Sequence, residues 1–512
     1  MSGGLGYVFA AARGEFAGQP ALDRVARVMR GHEARFLAPM SVALVGRVSS
    51  GKSTLVNALL GGTYVATGVR ELTFTVAHLR QGEPRIVVHF REKGRPVETY
   101  PPEEIDALTV NDPAQLEFLR SIDFLDVYVG NDYLRQFAIV DTPGLDAHLG
   151  TESQTTLNLL GRTGGDVRES TVTHAAGADA IVLVFTRRGL HEDDVRVLTD
   201  FAGADVAGLG PLNTVGALNQ VEALWRPGND PMAEATRVAG NLMSIAEVGR
   251  SVYEMIPVAG LLAAAAGTCD AEDLARFEAL SKVDPGRLER IVARGDHFAT
   301  RDYPEITVPA GERKALVDRY SQWGVVLATS LARDGVTTVR EMRAELEQRS
   351  GLERLRGVLT GHFGNRAGLI KTTRVYAWAD DLPYGVRPTL PPRAQAALDR
   401  VTRRFTELRL REENEHDELK ALRAHYDGQL RLPLGGGAEL LRVTGEHGMD
   451  PAARLGCAAG TPAAEMLQVT RERRTAWASA AMGVYNGATT NAIRVIQNAY
   501  VAVERELEPA TA

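Results

Sequence analysis

The chain has 512 residues, of which 44% are hydrophobic and 24% charged, and its formal net charge is −7. This composition excludes a mainly disordered chain, a collagen-like chain and a small disulfide scaffold, and the length favours about two to four domains. The acidic balance excludes a global basic field, so we expect no nucleic-acid partner.

The cysteines and the N-terminal residues both indicate a cytoplasmic location. Cys269 and Cys457 lie far apart without metal-ligand spacing and are expected to be unpaired thiols. The N-terminus lacks the basic start and the sustained apolar stretch of a signal peptide. No window approaches the ~18 apolar residues of a membrane-spanning helix. We therefore expect a cytoplasmic protein whose contact with the cytoplasmic membrane, if it has one, is peripheral.

The chain begins with a helical pattern and continues into a short strand. Residues 1–37 carry apolar side chains at helical spacing and predict a helical segment that packs on a bundle. Met40–Gly46 is an apolar, β-leaning run that ends on glycine, and a loop and a helix follow it. This strand–loop–helix unit predicts the start of an α/β domain.

Strands and helices continue to alternate up to about residue 270. Pro84–Tyr100 predicts a β-hairpin that turns at Lys93 and Gly94, and Asp193–Phe201 predicts a helix. Ala178–Thr186 is a continuous apolar run, typical of a strand buried on both faces. Further strands are predicted in FLDVYVG, LRQFAIVDTPG, NTVGALNQV and VYEMIPVAG. The alternation predicts a mostly parallel sheet.

Long amphipathic patterns dominate after residue 270, with breaks at Asp381–Arg393 and Leu432–Gly437. The chain is therefore predicted to have an N-terminal helical segment, an α/β domain and an all-helical bundle, over residues 1–37, 38–270 and 271–512.

The segment Gly46–Ser53 matches the pattern G-x-x-x-x-G-K-[ST]. Such a loop points backbone N–H groups at phosphate oxygens at the start of a helix. Lys52 would reach the β- and γ-phosphates, and the Ser53 hydroxyl would bind Mg²⁺. A glycine-rich turn without a ligand is the alternative. The nucleotide contacts predicted here are Gly46, Ser49, Ser50, Gly51, Lys52, Ser53 and Thr54.

A second motif, FAIVDTPG, ends an apolar strand at Asp141. The Asp141 carboxylate is predicted to hold Mg²⁺ through water, and the Gly144 N–H is predicted to contact the γ-phosphate. An ordinary strand that ends in a Pro-Gly turn is the alternative. With the phosphate loop in the same domain, we favour the nucleotide site.

These two motifs resemble the GTPase class of P-loop proteins. The resemblance implies a switch threonine between them, for which Thr73 is the candidate and Thr75 the substitute, as a contact to Mg²⁺ and to the catalytic water. Because threonine favours strands, a plain strand residue is the alternative.

The same GTPases read guanine with an N/T-K-x-D motif after a strand. The matching residues are Asn219, Gln220 and Glu222, so glutamine replaces the lysine and glutamate the aspartate. The longer Glu222 would still accept hydrogen bonds from guanine, whereas Gln220 lacks the charge that would cover the base. Residues 257–260 resemble the last loop of that base pocket.

The arrangement is most similar to the bacterial dynamin-like proteins, in particular the actinobacterial group. The features that carry this resemblance are Ser49 in the phosphate loop, the G-V-x-E-x-T pattern of Gly68–Thr73, the long insert before Asp141 and the helical C-terminal half. It implies an α/β P-loop GTPase domain followed by an all-helical bundle, and gives Ser49 a role in orienting the attacking water. Ser49, Lys52, Thr73 and Gly144 are thus the catalytic candidates.

The family resemblance also implies a helical tip that touches lipid. The candidate is the loop with Leu430, Leu432 and Leu434, and an ordinary turn between helices is the alternative. A homo-oligomer or a hetero-oligomer with a dynamin-like paralogue is the implied assembly.

The function predicted from these features is binding of GTP and GDP and hydrolysis of GTP with Mg²⁺, which drives conformational change or assembly at a membrane or division site. One alternative is a weakly hydrolysing scaffold that partners a paralogue. Another is an ATPase, or a septation or ribosome-assembly GTPase with an unrelated helical appendage. The C-terminal region lacks a basic RNA-binding face, which disfavours a role in ribosome assembly.

Overall fold

The computed structural model describes residues 2–67, 75–109, 116–144, 177–186, 210–386, 389–411 and 413–508. The chain divides into two compact units. One unit contains residues Met40–Val358, and the other combines Met1–Pro39 with Leu359–Ala512. We call them the sheet unit and the helical unit.

Nine strands of the sheet unit, counted over the described ranges, form one sheet in the order β4-β3-β5-β2-β6-β1-β7-β8-β9. The strands are β1 Met40–Gly46, β2 Val76–Gln81, β3 Arg85–Phe90, β4 Glu98–Tyr100, β5 Ile122–Val129, β6 Phe137–Asp141, β7 Ala180–Thr186, β8 Thr214–Asn219 and β9 Met255–Pro257. The half from β6 to β9 is parallel, whereas β2 is antiparallel to β6 and β3 is antiparallel to β4 and β5. The sheet is therefore mixed.

The parallel strands at the centre of the sheet place the motif residues at one edge. Strands β7 and β8 are buried along almost their whole length, as the continuous apolar sequence of β7 predicts for that strand. Parallel strands place their carboxyl ends at one edge, which is where ligands bind in open α/β sheets. The carboxyl ends of β1, β6 and β8 carry Gly46, Asp141 and Asn219.

The sheet unit contains twelve described α-helices in addition to short 3₁₀ turns. After the two helices of residues 1–39, these are α3 Lys52–Leu60, α4 Ile105–Thr109, α5 Leu116–Ser121, α6 Pro231–Met243, α7 Ala246–Ser251, α8 Gly260–Thr268, α9 Ala271–Ser281, α10 Pro285–Val292, α11 Asp296–Thr300, α12 Ala310–Arg333, α13 Val339–Arg349 and α14 Leu352–Gly357.

The compact units separate at residue 358, not at the predicted boundary of 270 and 271. The reason is a shared hydrophobic core. Phe277, Tyr320 and Leu346, from three helices beyond residue 270, are buried in the same cluster as Val45 and Leu183 of the sheet. Amphipathic periodicity predicted these helices but does not reveal which core their apolar faces join.

The helical unit contains α1 Ser2–Phe16, α2 Asp23–Leu37, α15 Ala367–Val386, α16 Pro392–Arg411, α17 Glu413–Tyr426, α18 Gly436–Val443, α19 Pro451–Leu455, α20 Ala463–Ala480 and α21 Gly487–Leu507, and a π-helical turn at Val358–Phe363 leads into it. Its core includes residues of α1, α2, α15 and α16, with the rings of Phe9 and Phe405 in edge contact at 5.7 Å. The predicted break at Asp381 is wrong by several residues, because α15 continues to Val386.

An N-terminal α/β domain followed by a mostly helical region is thus confirmed. Within the described residues no helix is both long enough and apolar enough to cross a bilayer. The predicted helix at Asp193–Phe201 lies outside the described residues.

Candidate nucleotide site

The phosphate-loop motif connects the end of β1 to the start of α3. Gly46 and Gly51 are required by close approaches, since a Cβ atom on Gly46 would lie 2.4 Å from the Val184 carbonyl oxygen and one on Gly51 would lie 2.4 Å from Asn219 Nδ2. Gly51 also has φ +86°, a conformation that favours glycine. The loop can therefore adopt this path only with glycine at both positions.

Lys52 begins α3 and folds back over the loop. Its Nζ donates hydrogen bonds to the carbonyl oxygens of Gly46 at 3.2 Å and Arg47 at 3.0 Å. The side chain is buried, with 7% of its surface exposed. A cation is thus held beside a helix N-terminus, where the helix dipole and the first N–H groups favour an anion. Thr54 lies in the same first turn.

Ser53 and Asp141 meet at the base of the loop. Ser53 Oγ donates to Asp141 Oδ2 at 2.8 Å. Asp141 is fully buried, and burial raises its pKa to about 6, against the opposing effects of the Lys52 charge and the Ser53 hydrogen bond. A carboxylate and a hydroxyl at one point are ligands that Mg²⁺ uses together with substrate phosphates.

Three buried oxygen atoms of this region have no hydrogen-bond partner in the part of the chain that the structure describes. They are Ser50 Oγ, Asp141 Oδ1 and Glu222 Oε2. Buried polar atoms are nearly always paired in native proteins, so each such atom requires an explanation. The described residues hold no cluster of three or more His, Cys, Asp or Glu side chains. Magnesium bound together with a nucleotide usually takes only one or two ligands from the protein, beside phosphate oxygens and waters. These residues fit Mg²⁺ bound to a nucleotide.

Gly144 lies directly against the phosphate loop. A Cβ atom on Gly144 would be 2.6 Å from the backbone nitrogen of Val48, so no larger residue fits. The preceding Thr142 anchors this segment, because its hydroxyl donates to the Leu44 carbonyl oxygen of β1 at 2.7 Å. The segment after Asp141 is therefore brought to the loop, as the motif predicts for a phosphate-sensing glycine.

Asn219, at the end of β8, connects the loop to the start of α8. Its Nδ2 donates to the carbonyl oxygens of Ser50 at 2.9 Å and Gly51 at 3.3 Å, and its Oδ1 accepts from the Gly260 N–H at 3.1 Å. The side chain is buried. The predicted base-reading region and the 257–260 loop therefore do lie beside the phosphate loop.

Glu222 points to the same helix start. Its Oε1 accepts from the Leu261 N–H at 3.3 Å. Burial raises the pKa of the Glu222 carboxyl to about 7, although hydrogen bonds from its own N–H and from Leu261 act in the opposite direction. The residue after Asn219 behaves differently: Gln220 Nε2 donates to the Ser49 carbonyl oxygen at 2.7 Å.

The structure thus brings together most of the predicted site residues. Thr73 and the rest of Gly68–Thr73 lie outside the described residues, whereas Thr75 is buried just before β2. The sequence did not single out Arg356 of α14, whose Nη2 donates to the carbonyl oxygens of Ala58 at 3.1 Å and Leu59 at 2.9 Å in the last turn of α3. No sequence signal links residues so far apart.

Comparison with known proteins identifies the family. Residues 42–189 match the profile of the Dynamin family. The chain is also 30% identical to "Isoniazid-induced protein IniC" of Mycobacterium tuberculosis, from strains CDC 1551 and H37Rv. The aligned region has 342 residues and covers 66% of this chain and 66% of the mycobacterial protein. The chain belongs to the bacterial dynamin-like GTPase family.

This dynamin-like protein matches its relatives over part of their length. It spans 66% of the mycobacterial proteins, and it is 29% identical to "Dynamin-like protein 2" of Campylobacter jejuni over 27% of this chain and 21% of that one. A structure described as an oligomerised bacterial dynamin pair is 12% identical, with 98% of this chain and 78% of that chain covered and a TM-score of 0.34.

The predicted lipid-contacting loop of this dynamin-like protein lies between α17 and α18. Only Leu434 of its three leucines is well exposed, at 66%, whereas Leu430 and Leu432 are half-buried. A second loop, between α20 and α21, exposes Met482 at 89% and Val484 completely.

The two loops are joined by hydrogen bonds. Asn486 Nδ2 donates to the Gln429 carbonyl oxygen at 3.2 Å, and the Arg431 N–H donates to Thr489 Oγ1 at 3.1 Å. One end of the helical unit therefore presents apolar side chains from both loops. We call Leu434, Met482 and Val484 the apolar tip.

Proposed function

We propose that this dynamin-like protein binds GTP and GDP at the phosphate loop and hydrolyses GTP with Mg²⁺. The observation that carries the proposal is the pairing of Ser53 with a fully buried Asp141 whose Oδ1 has no partner among the described residues. A buried carboxylate is costly unless it meets a cation. The position of this carboxylate, next to Lys52 and the phosphate loop, supports a magnesium nucleotide as the missing partner.

Each residue then has a physical role. Lys52 would exchange its hydrogen bonds to Gly46 and Arg47 for the β- and γ-phosphates. Ser53 would bind Mg²⁺ directly and Asp141 would hold it through water, and Thr73 would complete this set. When bound, Mg²⁺ neutralises charge on the β- and γ-phosphate oxygens.

The hydrolytic step depends on positioning. Ser49 and Thr73 would orient the attacking water, while the Gly144 N–H would hold the γ-phosphate. No general base is needed, since stabilisation of charge and orientation supply most of the acceleration in phosphoryl transfer. Loss of the γ-phosphate would release the segment after Gly144 and change the conformation of the protein.

Base selection would rest on Glu222. Its carboxylate lies at the start of α8, and its Oε2, which has no partner among the described residues, would accept hydrogen bonds from the guanine N–H groups. Asn219 would hold this region against the phosphate loop. The missing lysine would make the preference for GTP over ATP weaker than in N-K-x-D GTPases.

The apolar tip supports peripheral contact with the cytoplasmic membrane. Fully burying one such side chain stabilises the bound state by roughly 1.5–3 kcal/mol, before ordering costs. One protomer would therefore bind weakly, and assembly of several copies, as a homo-oligomer or with a dynamin-like paralogue, would give useful attachment. We propose membrane remodelling or a role at a division site as the process served.

A weakly hydrolysing scaffold is the second candidate. It is favoured by the two departures from N-K-x-D, because Gln220 and Glu222 are both bound to the protein itself. Such a protein would bind nucleotide and assemble, with turnover supplied by a paralogue.

The proposal is tested by calorimetric titration with GTP, GDP and ATP, with and without Mg²⁺. Wild type should bind GTP and GDP, and Lys52→Ala should lose at least about tenfold in GTP affinity, because a buried charged hydrogen-bond donor is removed. The matched control is Lys314→Ala, whose side chain is exposed and pairs with Asp318 on α12. Equal GTP affinity in wild type and Lys52→Ala would contradict the proposed site.

A further inference from the structure

Helix α2 presents a row of arginines on its outer side. Its buried residues, among them Val25 and Met29, join the core of the helical unit. Four exposed arginines lie along the opposite side of the helix: Arg24, Arg27, Arg30 and Arg35. Within the described ranges, none of these four side chains has an ion-pair partner or a hydrogen bond. We call these four residues the basic face.

The two carboxylates of α2 do not offset this charge. Glu33 is already paired with Arg13 of α1. Asp23 lies in the first turn of the helix, where a negative charge interacts favourably with the helix dipole. The outer side of α2 therefore keeps a net positive charge.

The surroundings of His32 add to this picture. Its ring stacks on Trp378 of α15 at 4.7 Å, and burial, followed by the charges of Arg35 and Arg374, lowers its pKa to about 4. The Lys371 Nζ of α15 donates to the Arg35 carbonyl oxygen at 3.2 Å, which places a further cation at the end of α2. Basic side chains of α15 thus extend the positive field of the basic face.

The two compact units carry net charges of opposite sign. The helical unit contains 25 Lys and Arg residues against 21 Asp and Glu residues, a net charge of +4, whereas the sheet unit contains 33 against 44, a net charge of −11. Complementary charge steers proteins into encounter and fixes their register. The sheet unit of a second copy is therefore an electrostatically suitable partner for the basic face.

The sheet unit offers a matching group of carboxylates between β4 and α4. Glu103, Glu104 and Asp106 are all exposed, and none has an ion-pair partner in the part of the chain that the structure describes. We call these three residues the acidic turn. Glu103 and Asp106 are three residues apart in helical backbone, as Arg27 and Arg30 are, and such side chains lie on one face about 5–6 Å apart. Two arginines can therefore meet two carboxylates at equal spacing.

We propose that the basic face of one copy docks on the acidic turn of a second copy, so that copies associate head to tail. Because the two surfaces differ, each bound copy still presents one of them, and association continues beyond the dimer. The inference names surfaces for the assembly in the proposed function and rests on it in that respect. It requires neither nucleotide nor lipid.

Sedimentation velocity without nucleotide tests the two surfaces separately. Wild type should associate in about 50 mM salt, and the dissociation constant should rise at least about tenfold in about 500 mM salt. Arg27→Gln combined with Arg30→Gln should weaken association in low salt by at least about tenfold, and so should neutralisation of the acidic turn by Glu103→Gln, Glu104→Gln and Asp106→Asn. The control is Arg393→Gln combined with Arg403→Gln, which removes two exposed arginines of α16 and should behave as wild type.

A mixture of the two weakened proteins gives the sharpest result. Each retains one intact surface, so the mixture should form dimers and nothing larger. A mixture that stays monomeric would overturn the inference, and so would association in wild type that neither salt nor the substitutions weaken.

The remaining outcomes separate this inference from its alternatives. If the α2 substitutions abolish binding to vesicles of phosphatidylcholine and phosphatidylserine but leave self-association unchanged, the basic face binds a membrane and the inference is overturned. Failure of wild type to bind GTP would overturn the nucleotide part of the proposed function, while sedimentation without nucleotide still decides whether these two surfaces join.

Discussion

Ser53 Oγ and Asp141 Oδ2 lie 2.8 Å apart, although 88 residues separate them in sequence. The contact joins the first turn of α3 to the end of β6 and places a hydroxyl and a carboxylate at the foot of the phosphate loop. Because Asp141 is fully buried, the carboxylate is destabilised unless a cation is bound. A cation bound beside this carboxylate would remove that cost and stabilise the protein.

Asp141→Asn should stabilise the nucleotide-free protein at pH 7.5, by about 1–3 kcal/mol. Burial raises the folded-state pKa of Asp141 to about 6, above the ordinary value of 3.8 for an aspartate, so protonation stabilises the fold, and that stability is lost as pH rises from about 4 through 6. The stability of the variant should not depend on pH in this range, and GTP with Mg²⁺ should no longer stabilise it. Thermal unfolding measures both effects, with the exposed Asp132→Asn as control. Destabilisation by Asp141→Asn at pH 7.5 would contradict the assignment.

The preference for GTP over ATP should increase as pH rises from 6 to 8. The pKa of Glu222 is raised to about 7, and only its ionised form accepts two guanine N–H groups. Titration of Asp141 affects both nucleotides alike, so it cancels in the ratio of GTP to ATP affinity. Competition binding at several pH values measures that ratio, and Glu222→Gln should make it independent of pH. A pH-dependent ratio that persists in Glu222→Gln would exclude Glu222 as the base reader.

Arg356→Ala should loosen the C-terminal end of α3. Arg356 donates to the carbonyl oxygens of Ala58 and Leu59, and a cation stabilises the negative end of a helix. We expect the opening free energy of α3 in native-state hydrogen exchange to fall by about 1.5–3 kcal/mol. Arg354→Ala, which removes an exposed ion pair with Glu254, should change it by less than about 1 kcal/mol. Equal effects of the two substitutions would show that Arg356 has no special role.

Leu434→Asp combined with Val484→Asp should abolish co-sedimentation with anionic liposomes and leave GTP affinity unchanged. Both side chains are exposed, so the substitutions remove apolar contact without disturbing a core. Wild type should sediment weakly and increasingly with protein concentration. The control is Leu410→Asp, which changes an exposed leucine on α16 away from the apolar tip. Loss of sedimentation in the control, or its retention in the double variant, would exclude this surface.

Local sequence signals predicted the α/β fold and the contacts of the phosphate loop. The loop motif, the strand that ends at Asp141 and the position of Asn219 all depend on residue types at short spacing. Strand β2 was missed, since VAHLRQ lacks a continuous apolar run, and its antiparallel pairing with β6 makes the sheet mixed.

Contacts between distant segments were beyond sequence reasoning. The core shared by the sheet and Phe277 placed the compact-unit boundary at residue 358. Met482 and Val484 were overlooked because exposure depends on the folded surface, and the hydrogen bond from Gln220 to Ser49 depends on a turn of the backbone that the motif does not encode.

Release of phosphate from saturating GTP in the presence of Mg²⁺ tests the central claim most directly. Wild type should release phosphate over many turnovers, with a lower kcat/KM for ATP, and release should be abolished by chelation of Mg²⁺ or by Lys52→Ala. Lys314→Ala should behave as wild type. Release from GTP that is equally fast in Lys52→Ala, or hydrolysis of ATP with none of GTP, would contradict a magnesium-dependent GTPase site at this loop.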